Sequence, residues 1–71
     1  MKKLDFYPEE WDRFIKECDF TDLELRIIEL TRRGWFIPDI AAELYVSEGT
    51  VKRRRKSIED KILHYRLISK F

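Results

Sequence analysis

The sequence predicts an all-α fold, a small bundle of four to five helices, on three observations. Apolar residues recur at helical spacing, most plainly at Trp11, Phe14, Ile15 and Cys18. The two prolines, Pro8 and Pro38, fall where helices can begin, and Gly34 falls where one can end. A short apolar-faced segment (Ile40, Ala41, Leu44) then leads into Ser47 and a long stretch with no glycine beyond Gly49 and no proline to the end. A short helix, a tight turn and a longer helix with a small, basic outer face describe a helix-turn-helix.

Size and composition narrow the function. Seventy-one residues make one domain, and a chain this short buries only about 60% of its unfolded surface. Cys18 is the only cysteine and His64 the only histidine, so neither an internal disulfide nor a zinc site of the usual spacing can form. There is no apolar signal core and nothing near the roughly 18 apolar residues of a membrane span. A reducing, cytoplasmic setting without membrane attachment is the simplest expectation. No Gly-rich phosphate loop, metal cluster or Ser/His/Asp set is present, which argues against an enzyme and calls for no cofactor.

Charge is unevenly placed. Residues 1–30 carry five Lys/Arg and nine Asp/Glu, a balance of −4, and residues 31–71 carry ten and five, a balance of +5. The near-neutral sum therefore conceals an acidic and a basic half.

Taken in order, Met1 to Tyr7 is a lead with Leu4, Phe6 and Tyr7 among charges. Pro8, Glu9 and Glu10 suit a helix start, and the stripe from Trp11 to Cys18 gives about three turns. Cys18 reads as a small buried hydrophobe on that stripe. Thr21 and Glu24 then form a capping box, with Phe20 and Leu25 as its hydrophobic staple. Leu23, Ile27, Ile28 and Leu30 supply the next apolar face. Arg32 and Arg33 favour the dipole at its end, a role preferred here over phosphate contact, and Gly34 can terminate it in the left-handed conformation. Trp35 and Phe36 are adjacent aromatics in a connecting loop. Either they pack against the helix of residues 8–18 or they pack locally beneath the loop. Pro38 and Asp39 start a short helix over residues 38–44.

Ser47 caps the helix that follows, by accepting from the backbone N–H of Gly49 or Thr50. With Val51 inward, a rotation of about 100° per residue brings Ile58 and Ile62 to the same side. Gly49, Arg53 and Lys56 face outward, Lys52 flanks them on one edge, and Thr50 and Ser57 on the other. Arg55 lies near the core side and lays its stem on apolar surface. Asp60 shares the outer face and would repel phosphate, so a groove contact would end near Lys56 or Ser57.

The pattern Thr21-x-x-Glu24-x-x-Ile27-Ile28, Gly34, Ile40-Ala41-x-x-Leu44-x-Val46-Ser47-x-x-Thr50-Val51-Lys52, Ile58, Lys61-Ile62 resembles the LuxR-type (GerE-like) DNA-binding domain. The similarity spans residues 20–62, and Ser47-Glu48-Gly49-Thr50-Val51-Lys52 is its most specific block. It implies a LuxR-like core at 20–62, an added N-terminal helix within 1–19 and a helical tail at 63–71. It also implies double-stranded DNA as partner, a recognition helix of about 48–61, a role in transcription regulation, and a homodimer on DNA. The DNA-binding set is then Glu48, Gly49, Thr50, Lys52, Arg53, Arg54, Lys56 and Ser57. Three departures stand out. Phe36 occupies the place of a small polar cap, Arg54 that of a usual histidine, and no break follows Ile62. The tail is therefore either a short separate helix or an extension of the recognition helix. An alternative function is a protein-interaction adaptor that meets RNA polymerase or a regulator through the acidic half or through Trp35 and Phe36. RNA is the weaker option, since no aromatic stacking platform is evident.

Overall fold

The computed structural model describes residues 6–69, and they form four helices: α1 (Pro8–Glu17), α2 (Asp22–Arg32), α3 (Ile37–Leu44) and α4 (Glu48–Ser69). The all-α expectation holds. The expected ordering of Leu4 falls outside the described residues.

Each helix boundary has a local cause. In α1, Pro8 needs no N–H partner in the first turn, and the Glu10 carboxylate accepts the Tyr7 N–H at 3.0 Å. In α2, the capping box forms as expected: Thr21 Oγ1 accepts the Glu24 N–H at 3.2 Å, and Glu24 Oε1 accepts the Thr21 N–H at 3.0 Å. At its end Gly34 adopts φ +87°, with Gly34 N–H bonded to Thr31 O at 3.0 Å and Trp35 N–H to Leu30 O at 3.1 Å. That pair of bonds is the Schellman closure. Trp35 is half-buried against the core, whereas Phe36 stands 73% exposed. Of the two aromatics expected to pack on the helix of residues 8–18 or locally beneath the loop, Trp35 joins the core and Phe36 does neither. As the residue before α3, with Ile37 and Pro38 in the first turn, its ring projects outward and supplies no side-chain cap.

One core holds the four helices. Ile27, Ile28 and Leu30 of α2, Ile40 and Ala41 of α3, and Val51, Ile58 and Ile62 of α4 are all buried together with Trp11 and Phe14 of α1. The inner face of α4 is therefore the one that the sequence periodicity assigns. α4 packs closely on both α2 and α3.

The tail at residues 63–69 continues the helix that begins at Glu48. α4 is one helix of 22 residues, about 33 Å long. The region past Ile62 stays helical because no Gly or Pro interrupts it and because α1 leans on it. Tyr65 meets Phe14 edge-on at 6.0 Å between centroids. Arg66 lies over the rings of Phe6 and Phe14 at 5.1 and 5.5 Å, and its Nη2 is 3.2 Å from Glu10 Oε2. Phe6, Trp11 and Phe14 complete an edge-to-face cluster. Cys18 ends α1 half-buried, its Sγ 3.9 Å from Lys61 O. Burial first, then the Glu17 charge, push its thiol up despite the opposing Lys61. A thiol so shifted is a poor nucleophile near neutral pH. Among the described residues no helix is long and apolar enough to cross a membrane.

Candidate nucleic-acid interface

α3 ends and α4 begins across Tyr45, Val46 and Ser47. The turn is closed from both sides. Tyr45 adopts φ 57°, ψ 42°, and its N–H reaches Ala42 O at 3.4 Å, while Val46 N–H bonds to Ala41 O at 3.0 Å. Ser47 Oγ accepts the Thr50 N–H at 3.0 Å, the expected cap in its Thr50 form. Val46 is half-buried against the core and fixes the approach of the two helices.

From that cap a hydrogen-bonded row runs along the outer surface. The hydroxyls of Ser47 and Thr50 lie 2.9 Å apart, and Arg53 Nη2 donates to Thr50 Oγ1 at 3.1 Å. The Arg53 guanidinium thus folds back toward the start of α4, over the place where Gly49 lacks a side chain. A Cβ built on Gly49 would meet Arg53 Nη1 at 3.4 Å and Ser47 Oγ at 3.8 Å, both ordinary contacts. Neither crowding nor a left-handed backbone requires glycine at this position.

The other expected residues divide into two groups. Lys52, Arg53 and Lys56 are exposed, as placed by the helical rotation, and so is Glu48. Among the described residues no carboxylate lies within ion-pair distance of Lys52 or Arg53. Lys56 Nζ is 3.3 Å from Asp60 Oδ1, so the cationic row closes one turn further on. Glu48, in the first turn, suits the positive end of the helix but would oppose a phosphate.

Arg54 turns the other way. Arg54 Nη1 is 3.5 Å from Oε2 of Glu24, a carboxylate with no solvent exposure. Lys61 Nζ holds Oε1 of the same group at 2.6 Å and also donates to Asp19 O at 2.8 Å. Burial pushes the Glu24 carboxyl up. Hydrogen bonds from Lys61 and the Thr21 N–H, with the Lys61 charge, outweigh burial and leave it below its ordinary range. Arg54 therefore belongs to an anchor between α2 and α4 and does not stand on the outer row, and Ser57 is half-buried. Arg55 is half-buried on the core side, as its position predicts.

Sequence reasoning read Glu24 as a cap alone and gave Lys61 no role. The signal was present nonetheless. Glu24 precedes Ile27 and Ile28 by one helical turn, so it lies on the same buried stripe and needs a cation opposite. No protein-family model, curated protein or solved structure matches the chain in comparison with known proteins.

Proposed function

We propose that this domain binds double-stranded DNA, with the first turns of α4 in the major groove, and acts as a small sequence-specific transcription regulator. The observation that carries the reading is the outer row of Gly49, Arg53 and Lys56 with Lys52 beside it. Its cations stand in solvent, and Lys52 and Arg53 have no counter-charge within ion-pair distance among the described residues. An α-helix about 10–12 Å across fits a groove about 12 Å wide. Arg53 can extend from Thr50 to make a forked pair of bonds with guanine, the commonest specific contact. Lys52 and Lys56 serve phosphates on the groove wall, and Thr50 steers Arg53. Gly49 admits the backbone close to the DNA. The resemblance of residues 20–62 to the LuxR-type domain supports the same reading. Two copies on a repeated or palindromic site about one helical turn apart would give the interface its usual extent.

Fluorescence anisotropy on labelled duplexes over a salt series tests this reading. With about two to three phosphates neutralised per copy by Lys52, Lys56 and Arg53, log K falls against log salt with a slope of about −2 to −3 per copy. Absence of duplex binding, or binding indifferent to salt, removes the reading. A second reading, an adaptor for RNA polymerase or another regulator, rests on the exposed Phe36 ring. It gains ground if random genomic duplexes are not shifted while Phe36→Ala abolishes capture of a purified polymerase.

A further inference from the structure

We infer that Tyr45 is a second DNA-contacting residue, which sets its ring against a deoxyribose and donates its hydroxyl to a phosphate oxygen beside the groove occupied by α4. This rests on the DNA-binding reading above and adds a residue and a contact type to it.

The argument starts from a comparison inside the chain. α2 and α3 end in the same way, with paired N–H bonds back to the last carbonyls and one residue in the left-handed region. At the end of α2 that residue is Gly34, which has no Cβ to clash. At the end of α3 it is Tyr45, the only non-glycine residue with positive φ among the described residues. An L-residue other than Gly, Asn or Asp adopts this conformation at a cost. Packing commonly offsets such a cost, but here it does not. Tyr45 is 95% exposed, and its side chain makes no hydrogen bond or ring contact among the described residues. A large aromatic is thus held in a strained backbone conformation with nothing returned from the fold. Unfavourable local choices of that kind cluster where the surface meets a ligand.

Position decides which ligand. Tyr45 is two residues ahead of Ser47, whose hydroxyl begins the row to Thr50 and Arg53. With α4 in the groove, the helix before it crosses the backbone, so the turn between them faces the sugar–phosphate wall. Tyrosine suits that wall, with an apolar ring for the sugar and a neutral donor for the phosphate. Lacking charge, it contributes no counterion release.

The test uses the full chain with Tyr45→Gly, Tyr45→Asn and Tyr45→Phe. Unfolding curves are measured beside anisotropy on a duplex pool, a single-stranded pool and salt series. Glycine and asparagine relieve the strain, so both raise the unfolding midpoint. Both also weaken duplex binding about tenfold, the worth of one hydrogen bond to a charged group. Tyr45→Phe loses the hydroxyl share of that affinity with an unchanged salt slope, whereas Lys52→Ala lowers the slope by about one. If Tyr45→Gly binds duplex as wild type does while Arg53→Ala does not, the inference is overturned and the DNA-binding reading stands. If wild type fails to bind duplex, both fall. A destabilised Tyr45→Gly protein would make the residue structural and overturn the inference. So would a loss seen only on single strands, which would mean base stacking.

Discussion

The two halves of α4 differ in charge, +4 over residues 48–58 and 0 over residues 59–69, and in what their cations do. In the second half the cations are committed inward: Lys61 to Glu24 and Asp19, and Arg66 to Glu10 and two aromatic rings. In the first half Lys52 and Arg53 have no carboxylate within ion-pair distance among the described residues, and Arg53 donates to a threonine hydroxyl. Arg54 marks the boundary, since it lies within the basic run yet points to Glu24. A run of cations in a sequence is therefore not one surface. Each one's angle about the helix and the carboxylates across from it decide whether it serves the fold or a ligand.

The comparison breaks most visibly at the inward end. Lys61→Ala leaves the buried Glu24 carboxylate with Arg54 and the Thr21 N–H alone. Breaking a wholly buried pair costs about 3–5 kcal/mol; with Lys61 partly exposed and Arg54 remaining, about 2–3 is expected by denaturant unfolding. The acid limb carries the same information. Glu24 titrates below its ordinary 4.5 in the folded state, so its contribution is complete above that pH and is lost as pH falls through the lower folded value. Glu24→Gln should therefore flatten the acid limb, with the gap to wild type narrowing as pH falls. Neither change should alter the salt slope of DNA binding. If Lys61→Ala lowered that slope as Lys52→Ala does, the division between the halves would be wrong.

Most of the fold was legible because it rests on local chemistry. Thr21 and Glu24, Gly34, Ser47 and the Val51–Ile58–Ile62 stripe each act within a turn or two of themselves, and each lies where the pattern puts it. The merged tail was left open because it is decided by Tyr65 and Arg66 meeting α1, a contact between residues some 50 apart in sequence. The candidate interface was half legible. Helical rotation placed Arg53, Lys56 and Lys52 outward, but Arg54 was drawn away by a carboxylate on another helix. Tyr45 escaped notice because backbone conformation is not written in periodicity, and tyrosine is a rare occupant of the left-handed region.

The outward half is sharpened by Arg53→Ala. Loss of a forked contact to guanine should cost about 1–3 kcal/mol at the preferred site and little elsewhere. Bound sequences selected from a random pool should lose information at one position per half-site. Lys52→Ala should weaken binding to all duplexes about equally, since phosphate contacts carry no sequence information. Selection profiles that changed alike in the two variants would remove the base-reading role of Arg53.

Gly49→Ala gives the smallest effect and the closest discrimination, because fold and ligand make opposite demands on it. The helix has room for the methyl group at ordinary contact distance, and Gly49 has no positive φ to lose. Alanine also restricts the unfolded chain, so stability should rise by about 0.5 kcal/mol. A surface serving the fold alone would show that gain and nothing else. A surface brought against DNA would show the gain with weaker binding, because the methyl group sits where the start of α4 approaches the groove and beside the Arg53 guanidinium. Tighter folding with undiminished affinity would mean that the first turn of α4 stands clear of the DNA, and the contact would then have to be carried by Arg53 and Lys56 further along the helix.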